Sequence, residues 1–200
     1  MSRLPLEENA RWAGEHGFTD IETGLNDTLV ATLKPHGVSA WAAGMGRVRL
    51  ITADDGQREA SIAGAKAAID SAAKQGVKAL TCGHAMVEGR SPADQIVLFK
   101  EGFAAVAGHA EQAGVKLVFE HWPNRGRNLM HSPELWDAAF SAVPSPSLGL
   151  NFDPSHLVVL HIDWAWALRA YKDRIHYCHA KDTELFLDRR NRYGIYGPFI

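Results

Sequence analysis

A short apolar run in this chain ends in an aspartate and, three residues later, a histidine. Apolar residues alternate with small or polar ones over residues 148–152, and Asp153-Pro154 follows. This pattern predicts a β-strand stopped by a turn. A carboxylate and an imidazole just beyond a strand are typical ligands of a divalent cation, and they are also typical turn or N-cap residues. Asp153 and His156 alone therefore leave both a metal site and a simple turn open.

Polar side chains collect at the ends of several other predicted strands. They are Glu22, His84, Glu120, His121, His179, Lys181 and Asp182. Each one alone fits a surface ion pair, a core histidine or a solvated loop. In a barrel the carboxyl ends of the strands meet on one face, so these residues would come together there. Glu120, Asp153 and His179 then predict a site for Mn²⁺, Mg²⁺, Co²⁺ or Zn²⁺.

The elements that position these residues follow a repeat of helix, glycine and strand. Gly37, Gly76 and Gly114 each precede an apolar strand-like run and lie 38 or 39 residues apart. We predict a glycine with positive φ at the end of each helix. Alanine-rich residues 58–74 and residues 92–112, with apolar side chains at helical spacing, predict the helices between the strands. The chain therefore reads as a βα repeat.

We predict six strands, which begin near residues 18, 38, 77, 115, 148 and 175, each preceded by a helix. Strands that alternate with long helices indicate an α/β fold with a parallel sheet, either doubly wound or a barrel. Neither a dinucleotide-binding glycine pattern nor a P-loop, a nucleophile elbow or a His-Glu-x-x-His motif is present. The dinucleotide-binding and serine-hydrolase classes therefore lose their main support.

Length and composition predict one globular domain over residues 1–200. The chain is 46% hydrophobic and 22% charged, with a net charge of −2. Nucleic acid is not an expected partner because the chain has no overall basic field. The widely spaced Cys82 and Cys178 favour reduced thiols in the core of a cytoplasmic protein. Neither a targeting signal nor an apolar run of membrane-spanning length is visible, so we expect no membrane partner.

Three motifs make the chain similar to a known family. They are Val-Phe-Glu-His-Trp-Pro-Asn at 118–124, Gly-Leu-Asn-Phe-Asp-Pro-Ser-His at 149–156 and Tyr-Cys-His-Ala-Lys-Asp-Thr-Glu at 177–184. In this order they resemble the sugar phosphate isomerase/epimerase family of xylose isomerase-like TIM barrels, which also includes endonuclease-IV-type nucleases. The resemblance extends over nearly the whole chain and implies a (β/α)₈ barrel.

The resemblance also implies roles for single residues. Glu120 matches a residue that both binds metal and acts as acid/base, Asp153 and His179 match metal ligands, and His156 matches a substrate contact. The family has a second catalytic glutamate on its eighth strand, which has no counterpart in this sequence. We therefore expect an incomplete barrel without the first and the eighth strand, with weak metal binding and slow turnover. Its unpaired sheet edges favour association into a homo-oligomer.

The expected reaction is isomerisation or epimerisation of a sugar or keto-sugar through proton transfer next to a carbonyl. Glu120 is the expected acid/base, and a divalent metal supplies Lewis acidity. Trp122 is the expected packing surface for the apolar face of the sugar, with Trp41 and Phe152 as alternatives. Lys181 and His84 complete the expected substrate contacts, and a solvated lysine is the other interpretation of Lys181.

Three other functions stay open at this point. A dehydratase or lyase on a keto-cyclitol or a 3-keto-glycoside would use the same metal and base. An endonuclease-IV-like nuclease would need further histidine and aspartate ligands, of which His84 supplies only one. A non-catalytic sugar-binding subunit would need no metal ligands, so the joint presence of Glu120, Asp153 and His179 speaks against it.

Overall fold

The computed structural model describes residues 4–123 and 127–196, so Asn124 of the first motif lies outside it. In these residues one parallel sheet has six strands in sequential order. The strands are β1 (Thr23–Gly24), β2 (Ala42–Gly44), β3 (Ala79–Thr81), β4 (Lys116–Glu120), β5 (Leu148–Phe152) and β6 (Ile175–Cys178). All five strand pairs are parallel. The predicted α/β fold with a parallel sheet is therefore confirmed.

Helices precede and follow the strands along the described chain. They are α1 (Leu6–Glu15), α2 (Leu29–Leu33), α3 (Asp55–Gln75), α4 (Pro92–Ala113), α5 (Pro133–Ala142), α6 (Pro154–Val159), α7 (Trp164–Ala170) and α8 (Leu187–Tyr193). The two long helices agree with the sequence prediction to within three residues at each end. Gly76 and Gly114 follow them with φ of 80° and 69°, as predicted, because glycine adopts this left-handed conformation without strain.

The first two strands begin later than the sequence predicts. The predicted starts are near residues 18 and 38, but β1 begins at Thr23 and β2 at Ala42. Upstream of them the Asp20 carboxylate accepts hydrogen bonds from the Trp41 backbone N–H, at 2.9 and 3.1 Å, and from the Ser39 hydroxyl. The Asp20 side chain thus accepts the hydrogen bond that the Trp41 N–H would donate to a backbone carbonyl in a regular parallel strand pair. Asp20 and Ser39 are therefore joined only by an isolated β-bridge.

The main core lies between the sheet and the helices around it. Phe99 and Phe103 of α4 stack with ring centroids 4.6 Å apart and pack against Phe119 of β4. Small residues fill the other face of the sheet, where Ala42, Ala79 and Val118 form a separate buried cluster with Tyr177. The sheet is therefore covered on both faces, by large side chains outside and small ones inside.

The sheet is strongly curved, since side chains from its two edges touch each other. Tyr177 of edge strand β6 stacks on Trp41, beside the start of β2, with centroids 5.4 Å apart and ring planes inclined by 10°. Two neighbours of the edge strands, Glu22 and His179, also make contact. The inner face is thus the inside of an incomplete barrel.

Two side chains do not lie where the sequence suggests. Cys178 was predicted to be in the core but is exposed, because it lies on edge strand β6; Cys82 is buried as predicted. Phe152, the last residue of β5, is buried and packs against the His121 ring, so it is not available to pack against a sugar. No helix in the described part of the chain is both long enough and apolar enough to cross a membrane.

Candidate metal centre and active site

The centre of the site is built where β4 and β5 end side by side. Glu120 is the last residue of β4 and pairs with Asn151 of β5. Asp153 follows β5 directly and caps α6, because its Oδ1 accepts hydrogen bonds from the Ser155 N–H at 2.9 Å and the Ser155 hydroxyl at 2.6 Å. The cap fixes one carboxylate oxygen of Asp153 and leaves Oδ2 to contact His156 and Lys181.

The first turn of α6 carries His156 to both carboxylates. Its Nε2 lies 3.1 Å from Glu120 Oε1 and 3.2 Å from Asp153 Oδ2. One potential ligand atom from each of these three residues lies within 4.8 Å of the other two. The structure thus places His156, which the family resemblance assigns to substrate, in the most compact group of potential metal ligands among the described residues.

His179 lies beside this group, between two carboxylates. Its Nδ1 is 3.3 Å from Glu120 Oε1, and its Nε2 is 2.7 Å from Glu22 Oε2. Hydrogen bonds to Glu120 and then to Glu22 raise the pKa of His179 to about 10. In the metal-free protein this imidazole is therefore cationic at neutral pH, and its role as a metal ligand stays a prediction.

Lys181 places a second cation at the site. Its Nζ lies 2.8 Å from Asp153 Oδ2 and 3.4 Å from His156 Nε2. Burial raises the pKa of Asp153, but the contacts with Lys181, Ser155 and His156 outweigh it, so the pKa lies below its usual value. Hydrogen bonds from His156 and His179 likewise lower the pKa of Glu120. Both carboxylates are therefore ionised at neutral pH.

These residues fit a divalent cation. Carboxylate oxygens and imidazole nitrogens are ligands for Mn²⁺, Mg²⁺, Co²⁺ and Zn²⁺. Three carboxylates converge here, from Glu22, Glu120 and Asp153, and in the described part of the chain only two cationic groups, His179 and the ammonium of Lys181, contact them. The excess of negative charge therefore favours a cation beside these carboxylates.

His121 supports the site from behind, a role that the sequence did not identify. It is fully buried, and its Nε2 donates a hydrogen bond of 2.8 Å to the backbone carbonyl of Asp153. Its ring packs between Trp136 and Phe152, and burial lowers its pKa to about 4. His121 is therefore a neutral residue that joins the ends of β4 and β5.

A cavity of about 900 Å³ opens beside Glu120, over the ends of β2, β3 and β4. The predicted substrate contacts His84 and Trp122 line it, and Trp122 is 42% exposed. His84 Nδ1 donates to the Cys82 carbonyl at 2.7 Å, and its buried Nε2 has no hydrogen-bond partner among the described residues. Burial lowers the pKa of His84, so its ring is neutral at neutral pH.

The sequence interpretation missed three residues around this site. Arg49 and Arg127 also line the cavity, from loops whose course the sequence pattern does not reveal. Glu22, which was predicted to end the first strand, directly precedes β1 instead, and the sequence interpretation gave it no role in the site. Its position at the end of a predicted strand was the one signal that could have placed it there.

Comparison with known proteins agrees with this architecture. A family model described as the xylose isomerase-like TIM barrel matches residues 8–195. The uncharacterized protein YfiH of Bacillus subtilis (strain 168) is 36% identical over 77 residues, which make up 38% of this chain and 23% of that protein. The match therefore spans less than a quarter of that relative's length.

Solved structures share the fold at low sequence identity. A D-psicose 3-epimerase crystallised in the presence of D-fructose is 17% identical, with a TM-score of 0.75 over 88% of this chain and 68% of that one. The probable 3-DHS dehydratase AsbF from Bacillus anthracis is 14% identical, with a TM-score of 0.75 over 93% of this chain and 72% of that one. At these identities the likeness concerns the fold.

Proposed function

Because the chain belongs to the xylose isomerase-like TIM-barrel family, we propose that it is a divalent-metal-dependent isomerase or epimerase. The proposed substrate is a sugar or keto-sugar, and the proposed reaction is proton transfer next to a carbonyl. One observation carries the proposal: the ionised carboxylate of Glu120 belongs to the compact Glu120–Asp153–His156 group and also lines the large cavity. A base that faces both a cation site and a substrate-sized cavity suits this chemistry.

Glu120, Asp153 and His179 are the proposed metal ligands, with His156 within reach of the same ion. A bound divalent cation, with Mn²⁺ as the preferred ion, supplies Lewis acidity for the substrate carbonyl. Glu120 takes the proton from the carbon beside the carbonyl. Isomerisation is completed when Glu120 gives this proton to the former carbonyl carbon, whereas epimerisation requires a second acid that protonates the first carbon from the opposite face. Its two imidazole neighbours keep this carboxylate ionised and oriented.

The remaining residues are assigned to substrate binding. Trp122 offers a partly exposed ring to the apolar face of a sugar, and His84, which lines the same cavity, is assigned to a hydroxyl group of the substrate. Lys181 neutralises Asp153 in the metal-free chain, and we propose that it neutralises the substrate oxyanion in the loaded one. These roles require a substrate with both an apolar face and several hydroxyl groups.

Solvent-deuterium uptake tests the proposal directly. The chain is incubated with Mn²⁺ in D₂O with a panel of ketoses, and exchange at the carbon beside the carbonyl is followed by NMR. We expect metal-dependent exchange that Glu120→Gln lowers by about 10²–10⁴-fold, because the amide cannot accept the proton. Glu59→Gln is the matched control, since Glu59 is an exposed carboxylate on α3. Exchange that is equal in wild type and Glu120→Gln contradicts the proposal.

Dehydration is the second candidate, supported by the structural likeness to the probable dehydratase AsbF. It uses the same base but expels an oxygen from the neighbouring carbon. In the deuterium experiment it gives a new carbon–carbon double bond in place of an exchanged or epimerised sugar. A product with lost water therefore selects this candidate over the isomerase.

We further propose a cytoplasmic location and a small-molecule substrate. Cys82 and Cys178 are free thiols, which suits a reducing compartment. Self-association of the chain is part of the same proposal, because edge strands β1 and β6 each pair with a single neighbour in the described residues.

A further inference from the structure

Glu22 and His179 meet across the open side of the sheet. Glu22 directly precedes β1 and His179 directly follows β6, so they flank strands at opposite edges. They are 157 positions apart in the chain, yet Glu22 Oε2 lies 2.7 Å from His179 Nε2. This is the shortest of the contacts that His179 makes with carboxylates. The contact needs an explanation, because charged side chains that are free to reach water gain little from pairing.

In the metal-free cation both ring nitrogens of His179 carry a proton, and the Glu22 contact decides which nitrogen keeps its proton when a metal ion displaces the other. An ionised carboxylate only accepts hydrogen bonds, so His179 Nε2 must be the donor toward Glu22. In the neutral ring Nδ1 then holds the lone pair, and Nδ1 is the nitrogen that faces Glu120, at 3.3 Å. A metal ion binds the nitrogen that has the lone pair, and a carboxylate on the other nitrogen fixes both tautomer and ring orientation.

We propose that Glu22 is a positioning residue for the metal centre: it holds His179 so that Nδ1 is presented to the ion beside Glu120. This inference rests on the proposed function, because it requires His179 to be a ligand. It adds to that function a carboxylate from the opposite edge of the sheet. Glu22 acts through His179 and is not itself a ligand.

The surroundings of the pair restrict its geometry. Tyr177, two residues before His179, stacks on Trp41 and also meets the His179 ring edge-on at 5.7 Å. The Trp41 backbone is in turn held by the Asp20 carboxylate, two residues before Glu22. The segments that carry Glu22 and His179 are thus joined by a second set of contacts, and the carboxylate approaches the ring from a fixed direction.

Asn151 is the rival for control of the His179 ring. Its Nδ2 lies 3.1 Å from Nε2 and 3.3 Å from Nδ1. An amide donor at Nε2 would select the opposite tautomer. The Glu22 contact is shorter by about 0.4 Å and involves a charged acceptor, and charge-assisted hydrogen bonds are roughly twice as strong as neutral ones. Glu22 therefore determines the tautomer.

Titration with Co²⁺, followed by its visible absorption and by calorimetry, measures the effect on the metal. We expect Glu22→Ala to weaken Co²⁺ binding by about 10–100-fold, the usual effect of losing the partner of a ligating histidine. Glu22→Gln should bind with intermediate affinity, since its amide oxygen still accepts from Nε2 but carries no charge. Glu59→Gln removes a distant exposed carboxylate and should match wild type. Wild-type affinity in both Glu22 variants overturns the inference.

A double-mutant cycle separates positioning from direct ligation. In a His179→Ala background, Glu22→Ala should weaken Co²⁺ binding no further, because the residue through which it acts is gone. Further weakening in that background means that Glu22 acts on the ion by another route, and it overturns the inference. Urea unfolding of the metal-free variants identifies any that do not fold, and Glu22→Gln keeps the test valid if Glu22→Ala is among them.

Nitrogen-15 NMR of the Zn²⁺-loaded chain gives a readout that a purely structural role would not change. The expected spectrum shows His179 bound through Nδ1, with a slowly exchanging proton on Nε2 that Glu22→Ala loses. Zinc on Nε2 contradicts the inference. If the wild-type chain binds neither Co²⁺ nor Zn²⁺, the proposed function fails and the inference with it. If wild type binds and Glu22→Ala binds equally, the inference alone fails.

Discussion

The central strands and the edge strands build opposite sides of the site in different ways. Every residue of β5 is buried, and β4 is buried except at its two ends. On the edges β6 has no buried residue, and β1 is only two residues long. Accordingly Asp153, beside β5, is fully buried, whereas the side chain of His179, beside β6, is 34% exposed.

The site is therefore more preorganised beside the central strands than beside the edge strands. On the central side, buried groups are held by a helix cap and by the hydrogen bond from His121, which cost little further order when an ion binds. On the edge side, Glu22, His179 and Lys181 are held mainly by charge, in partial contact with water. Charge contacts of this kind are weaker and more sensitive to salt and pH.

The largest expected effect on the free energy of unfolding comes from a substitution in the central strand β4. Phe119→Ala removes a buried ring that packs against Phe99, Phe103 and the edge of His84. We expect the free energy of unfolding to fall by about 3–5 kcal/mol, as is usual for a cavity of this size. Urea denaturation measures it, with the exposed Val97→Ala as control. A decrease in the free energy of unfolding below about 1 kcal/mol would show that the central side is not more stable than the edge side.

His121 and His179 make opposite contributions to the pH dependence of the free energy of unfolding. His121 has a folded pKa near 4, below its unfolded value of 6.5, so unfolding takes up a proton and stability falls as pH decreases from 6.5 to 4. His179 has a folded pKa near 10, so its contribution is complete below pH 6.5 and is lost as pH rises to 10. The two sides of the site therefore fail at opposite ends of the pH range.

Glutamine variants test this expectation, because glutamine keeps a donor near the position of Nε2 but does not titrate. In metal-free His121→Gln the slope of the free energy of unfolding against pH should be smaller below pH 6.5, by up to about 1.4 kcal/mol per pH unit. His179→Gln should flatten only the alkaline side, and by less, since water screens this half-exposed group. Urea denaturation at pH values on both sides of 6.5 distinguishes them. If both variants change the pH dependence of stability equally on the same side of pH 6.5, the proposed difference between the two sides of the site is wrong.

The smallest expected effect concerns the aromatic contact across the open side. A double-mutant cycle of Trp41→Leu and Tyr177→Leu should give a coupling of about 0.5–1.5 kcal/mol in the free energy of unfolding. The stack of Trp12 on Phe18, which joins α1 to the residues just after it, is the matched local control. A coupling near zero for Trp41 and Tyr177 would mean that the sheet edges are not held together by this stack.

Most of the central side was predictable from local patterns. The last four strands begin within two residues of their predicted starts, and the long helices match, because periodicity and glycine position are local signals. Glu120 and Asp153 were placed together correctly, since residues at the ends of neighbouring parallel strands must be close. The first two strands were placed too early, because the Asp20 side chain replaces part of their backbone ladder.

Gly149 has a structural role that neighbouring residues in the sequence do not reveal. The sequence shows a glycine inside a strand but gives no reason for it. In the structure a Cβ at this position would lie 2.2 Å from the His176 ring and 2.4 Å from the Arg174 carbonyl. The missing side chain therefore lets β6 approach β5, which brings His179 within reach of Glu120.

The sequence alone predicts the order of helices and strands, the parallel sheet and, for β3 to β6, the end of the strand at which polar residues gather. These features depend on neighbours a few residues apart. Tertiary structure alone decided that His156 joins both carboxylates, that Lys181 pairs with Asp153 and that Glu22 reaches His179. Those contacts depend on how far the sheet curves, which is set by packing over its whole width and leaves no periodic signal in the chain.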